Sequence, residues 1–148
     1  SNRHLARIAV IQALFAWEFR GGDSEEILKY VIEQHHPELE SVEFAKQNLK
    51  GILAHREEIK ATMVEYATEW AFDKIARLDR VILEQGIYEL CWAHDVPPIV
   101  VINEAIEIAK AFGTDNAPKF VNGVLSSVMK RHAAERSANQ TTQDQSNL

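Results

Sequence analysis

Thirteen consecutive positions, residues 5–17 (LARIAVIQALFAW), are apolar or alanine except for Arg7 and Gln12. A helix that is apolar nearly all the way round exposes grease to water unless other elements cover every side. This segment therefore predicts a buried central helix, and a chain built around one has to supply several more helices to cover it. Gly21-Gly22 ends the segment.

The rest of the chain supplies those helices. Only six glycines and four prolines interrupt 148 residues, and 46% of them are hydrophobic, enough for a core in one domain. Asp23-Ser24-Glu25-Glu26 opens a second helix with acids in its first turn, and Pro37 closes it. Residues 41–70 read as one long helix, or two with a break. Phe44, Leu49, Ile52, Leu53, Ile59, Met63, Tyr66 and Trp70 recur there at helical spacing. A linking turn is expected near 71–77, then a helix over 78–94. Gly86 within it suggests that another helix crosses closely.

Pro98 suits the first position of the next helix, and Gly113 suits the position just past its end. Thr114 to Pro118 caps a last helix with Phe120, Val121, Val124, Leu125 and Val128 inward. No alternating run is long enough for a strand. The predicted fold class is all-α: about seven helices in a single domain over 1–132, followed by a polar, frayed or flexible tail over 133–148.

Charge is unevenly distributed. The formal net charge is −6, which taken alone opposes binding of nucleic acid. Residues 1–20 nevertheless carry +2 and residues 117–132 carry +3, while residues 21–116 carry −10. Such a chain can present one basic patch and one acidic face, although solubility alone would also account for a charged surface. No stretch approaches a membrane span and no signal-peptide pattern is present, so a cytoplasmic location is expected. The start at Ser1-Asn2, without a methionine, leads us to expect natural residues missing in front of Arg3.

Motifs for chemistry are scarce. The single cysteine, Cys91, sits in an apolar run and reads as an inert thiol. The six histidines form no metal-ligand spacing, and His35-His36 reads as an exposed helix end. Phosphate-binding glycine loops and nucleophile elbows are lacking. The expectation is a chain that is not an enzyme and uses no metal or cofactor.

The basic ends are more informative. Arg3, Arg7, Ile11 and Phe15 share one stripe, because four residues advance only about 40° around a helix. Arginine can hold phosphate while an aromatic face stacks a base. Lys119 and Phe120 begin a helix whose first N–H groups can also face phosphate, with the Asn116 amide just before them. The same spacings also fit core aromatics and solvated arginines.

Three stretches carry a resemblance. They are Ala6-Arg7 through Gln12-Ala13-Leu14-Phe15-Ala16-Trp17; then Asp95-Val96-Pro97-Pro98 leading to Val101-Ile102-Asn103-Glu104-Ala105-Ile106-Glu107-Ile108-Ala109-Lys110; and last Phe112-Gly113 with Lys119-Phe120-Val121-Asn122-Gly123-Val124-Leu125. In order and spacing over residues 3–131 the chain resembles the NusB transcription antitermination factors. The resemblance implies seven helices in two subdomains and no cofactor. It implies binding of boxA-type single-stranded RNA together with NusE, a small-subunit ribosomal protein. It further implies read-through by the RNA polymerase antitermination complex, notably in ribosomal RNA operons.

It places Arg3, Arg7, Gln12, Phe15, Asn116, Lys119 and Phe120 on the RNA side, and Asp79, Arg80, Glu84 and Tyr88 on the partner side. Many relatives begin with a denser arginine cluster, so weaker phosphate binding and dependence on NusE are expected here. Two other readings stay open: the accessory domain of an RNA cytosine methyltransferase, and a helical module without RNA binding.

Overall fold

The computed structural model of the protein describes residues 2–146, which form seven α-helices and one 3-10 turn. The helices are α1 (Asn2–Arg20), α2 (Ser24–His35), α3 (Val42–Ala54), α4 (Arg56–Tyr66), α5 (Arg77–Cys91), α6 (Pro98–Phe112) and α7 (Ala117–Ser146); the turn is Phe72–Lys74. The all-helical expectation holds. Local chemistry accounts for the boundary between α1 and α2. Gly21 and Gly22 take φ of +69° and +94°, which side chains rarely adopt, and they end α1. The Asp23 carboxylate caps α2, accepting from the N–H groups of Glu25 (2.9 Å) and Glu26 (3.3 Å).

One expectation is corrected at a helix end. The 41–70 stretch breaks at His55, and α4 stops at Tyr66, so Trp70 lies beyond any helix and is 57% exposed rather than inward. Neither glycine nor proline stands between Tyr66 and Trp70 to announce the stop. At the other end, α7 continues to Ser146, where the sequence predicts a frayed tail from 133. That part contains no glycine or proline, and the Arg131–Glu135 pair at 2.9 Å supports its first turn. Ser1, Asn147 and Leu148 lie outside the described residues.

Packing divides the helices into two groups. The first comprises α1, α2 and α3; the second comprises α5, α6 and α7, with α4 bridging onto α3, α5 and α7. The groups are joined because α1 and α3 also lie against α5. Helix α1 is buried from Ala6 to Ile11 and again at Ala13 and Leu14, as its composition requires. Helix α5 is more central still: every residue from Val81 to Ile87 is buried. Its polar side chains therefore have to find partners inside the protein. Glu89 meets Arg7 of α1 in a two-pronged ion pair, with Nε and Nη2 each donating over 2.8 Å. The Gln85 amide donates to Asn48 of α3 (2.7 Å) and to Glu89 (3.0 Å), and Asn48 donates to the Phe44 carbonyl (2.8 Å). One polar network thus pins three helices together.

Glycine makes three of these contacts possible. A Cβ on Gly86 would lie 2.7 Å from a methyl of Leu125, so α7 crosses α5 there, as the sequence suggests. Gly113 is not left-handed (φ −86°), in contrast to the usual glycine past a helix end. It is needed for space, since a Cβ would lie 2.6 Å from that of Ala117 and 2.9 Å from the Ala109 carbonyl. A Cβ on Gly51 would lie 2.2 Å from the Tyr88 ring, which packs directly on the α3 backbone. Alanine is the better helix former by about 1 kcal/mol, but expelling the ring costs roughly 1–3 kcal/mol. Gly51→Ala is therefore expected to lower Tm by several degrees in thermal unfolding, whereas an unchanged or raised Tm would show that the ring moves freely.

Candidate nucleic-acid interface and partner surface

Helix α1 does not present its arginines as one stripe. Arg3 is exposed, lies 4.5 Å over the Phe44 ring and stands 3.4 Å from Asp95. Arg7, one turn on, is only 3% exposed and bound to Glu89, with Glu104 at 3.8 Å. This corrects the expectation that Arg7 shares an exposed surface with Arg3. Releasing its guanidinium to a phosphate would strand the Glu89 carboxylate in the interior, at a cost of several kcal/mol. Gln12 is half-buried, and its side-chain oxygen accepts from His36 Nε2–H over 2.8 Å. His36 is in turn half-buried, and burial lowers its pKa below the ordinary histidine value, with His35 adding to the effect. That is not the exposed imidazolium expected at this helix end.

Phe15 stands twelve positions beyond Arg3, roughly 18 Å along the helix axis. It is 39% exposed and faces Arg77, whose guanidinium lies 4.7 Å from the ring and donates to the Phe15 carbonyl. Phe19 beside it is 77% exposed and also within 5.2 Å of Arg77. Nothing along the chain announces that Arg77, at the start of α5, meets the end of α1.

Asn116, Lys119 and Phe120 do come together. They line a groove of about 490 Å³ whose other wall includes Tyr66, Glu69 and Trp70. The α6–α7 turn places them: Thr114 and Asn116 carbonyls accept from the N–H groups of Ala117 (3.0 Å) and Phe120 (3.1 Å), starting α7 at this point. Lys119 is exposed, and among the described residues it makes no ion pair. The groove therefore combines an uncommitted ammonium, an amide and an exposed indole. Such a set can hold a phosphate and stack a base. Trp70 and Tyr66 were not nominated as site residues from sequence, because their helical spacing suits a core stripe equally well.

The four residues nominated for a partner separate into two pairs. Asp79 and Glu84 are 6% and 5% exposed, a correction to their expected place on an open surface. Helix α5 is covered over most of its circumference, and Asp79 and Glu84 lie on its covered part, so their carboxylates face protein. Burial raises the Asp79 pKa, and one of its oxygens has no hydrogen-bond partner. Arg80 and Tyr88 are half-buried. The Arg80 guanidinium lies 4.9 Å from the Phe72 ring, and Tyr88 stacks against His55 at 6.4 Å.

Glu84 is the most perturbed of these groups. Burial above all, then the neighbouring Glu18 charge, pushes its carboxyl to about 8, against the opposing pull of Arg56 and Arg80. Since this lies above the 4.5 of a free glutamate, the folded chain keeps a proton that the unfolded chain releases. The stability so gained is complete below about 4.5 and is lost as pH rises through about 8. Thermal unfolding across that window should show stability declining by at most about 1.4 kcal/mol per pH unit from this group. Glu84→Gln should flatten the decline, and equal pH profiles for the two proteins would rule out the buried proton.

Comparison with known proteins places the chain in a family. The family model described as the NusB family matches residues 4–130. The transcription antitermination protein NusB of Geobacter sulfurreducens is 35% identical over 127 residues, covering 85% of this chain and 92% of that protein. The protein of the same name from Thermobifida fusca is 38% identical over 130 residues, covering 88% and 90%. Among solved structures, T. maritima NusB superposes with a TM-score of 0.81 at 36% identity, covering 93% of this chain and 96% of that one. A structure of the antitermination factors NusB and NusE in complex with dsRNA gives 0.79 at 28% identity, covering 88% and 97%. With the family model, the relatives and the overall superposition in agreement, the chain belongs to the NusB family.

Proposed function

We propose that this chain is a transcription antitermination factor that binds boxA-type RNA together with NusE and promotes read-through by RNA polymerase, notably in ribosomal RNA operons. It acts without catalysis, metal or cofactor, in the cytoplasm where transcripts emerge. The observation that carries the reading is the groove in which Asn116, Lys119 and Phe120 meet Trp70. Single-stranded RNA offers phosphates to a lysine and unstacked bases to aromatic rings. Relatives named as antitermination proteins, and a solved complex containing NusB, NusE and RNA, support the same assignment.

The residues take different roles. Lys119 holds a phosphate, Trp70 and Phe120 present rings to a base, and Asn116 supplies amide hydrogen bonds. Arg3 adds a second phosphate contact at the far end of α1. Arg7 and Gln12 act as positioning residues that hold α1 against α5 and α2. Phe15, with Arg77, forms a separate aromatic and cationic surface at the start of α5. NusE docks on the accessible edge of α5, with Arg80 and Tyr88 as its contacts, and Asp79 and Glu84 stay within the fold. Binding of either ligand then tightens the other if both favour the same arrangement of α5 and its neighbours.

Fluorescence anisotropy with a boxA-type RNA, over a salt series and with NusE present, tests this reading. Trp70→Ala is expected to lose about 1–3 kcal/mol of binding, the worth of one stacked base. Lys119→Ala should weaken binding and reduce the salt slope by about 0.7, the value for one phosphate on a single strand. Wild-type affinity and slope in both variants would move the RNA away from the groove.

A further inference from the structure

A second pocket lies where the end of α1 meets the starts of α4 and α5. It has a volume of about 400 Å³ and is lined by Arg56, Arg77 and Arg80 together with Trp17, Phe72 and Glu18. Three guanidiniums in one pocket are unexpected in a chain of net charge −6. Their mutual repulsion is offset only in part. Glu18 lies 2.7 Å from Arg56 and 3.7 Å from Arg77, and Arg80 makes no carboxylate pair within ion-pair distance among the described residues. Burial pushes the carboxyl of nearby Glu84 up to about 8, which leaves Glu18 as the carboxylate paired with the cluster.

The guanidiniums are also held ready. Arg56 lies 4.9 Å from the Trp17 ring, Arg80 4.9 Å from the Phe72 ring and Arg77 4.7 Å from the Phe15 ring. Lys60 approaches Phe72 as well, at 4.7 Å, and adds a fourth positive charge nearby. The Nε–H groups of Arg56 and Arg80 are buried without a hydrogen-bond partner among the described residues and are closed to solvent, so a ligand meets these guanidiniums by their other nitrogens. Guanidinium forks match carboxylates and phosphates alike. A phosphate is the better fit to three of them, because it brings more charge and more acceptor oxygens than a carboxylate does.

We propose that this pocket binds a phosphate group, carried by a nucleotide or by an RNA backbone, through the guanidiniums of Arg56, Arg77 and Arg80. The site is distinct from the Trp70–Lys119 groove. It shares Arg80 with the proposed partner edge, so an occupied pocket lies beside the docking surface.

The test is an NMR titration of the whole chain with inorganic phosphate at constant ionic strength, with chloride as the control salt. The arginine Nε–H resonances and the Trp17 indole are followed. Saturable shifts at Arg56, Arg80 and Trp17 with phosphate, and none with chloride, are expected. The Arg77→Gln, Arg80→Gln double variant should raise Kd at least tenfold. Should that variant fail to fold, Arg77→Lys, which keeps the charge and removes the fork, should raise Kd several-fold. Adenosine monophosphate and a short single-stranded RNA then identify the source. Tighter binding of the nucleotide with no competition from RNA supports a free nucleotide, and displacement of phosphate by RNA supports the backbone. Phosphate shifts no larger than those of chloride, or undiminished binding by the arginine variants, would overturn the proposal. The phosphate titration contains no RNA, so its outcome is independent of the groove at Lys119.

Discussion

Inside the protein, the Arg7 guanidinium and the Glu89 carboxylate make two parallel hydrogen bonds of 2.8 Å. Both side chains are almost wholly removed from water, so neither charge is tolerable without the other. This constraint fixes how α1 lies against α5. Gln85 and Asn48 extend it to α3, and Glu104 extends it to α6. The two helix groups are therefore locked at one relative position by polar contacts that have strict geometry, in addition to apolar packing that does not.

The surface that can serve RNA follows from that lock. With Arg7 committed to the interior, the α1 contribution to phosphate binding falls to Arg3, itself partly occupied with Asp95 and Phe44. The groove at the start of α7 carries more of what a single strand needs, because Lys119 makes no ion pair among the described residues and Trp70 is exposed. A chain of net charge −6 with so few committed phosphate contacts should bind RNA weakly alone. A joint surface with a second protein, as proposed, would supply the contacts that this chain lacks.

Much of the fold was legible from helical periodicity and end signals. The apolar run at 5–17 demanded a covered helix, and Gly21-Gly22, Asp23 and Pro98 marked boundaries by their chemistry. What escaped was whatever depended on a partner distant in sequence. Arg7 and Phe15 occupy one stripe of α1, but the side chains that meet them, Glu89 and Arg77, lie 82 and 62 positions away. Glu84 and Asp79 look like surface carboxylates until the neighbouring helices are found to cover their side of α5. Trp70 sits at a spacing that continues α4, and the helix stops without glycine or proline to mark it. The grouping of Asn116, Lys119 and Phe120 was local enough to be read, since one helix start holds all three.

The central claim is that Arg7 supports the RNA surface from within and does not touch RNA. It is tested most directly by RNA binding, over a salt series, of the double variant Arg7→Met, Glu89→Leu, in which both charges are removed together. Removing either charge alone should cost about 3–5 kcal/mol of stability, whereas removing the pair should be close to neutral. The account expects the folded double variant to bind boxA-type RNA with wild-type affinity and an unchanged salt slope. A well-folded double variant whose affinity drops and whose slope falls by about 0.7 would show that Arg7 holds a phosphate, and would contradict it.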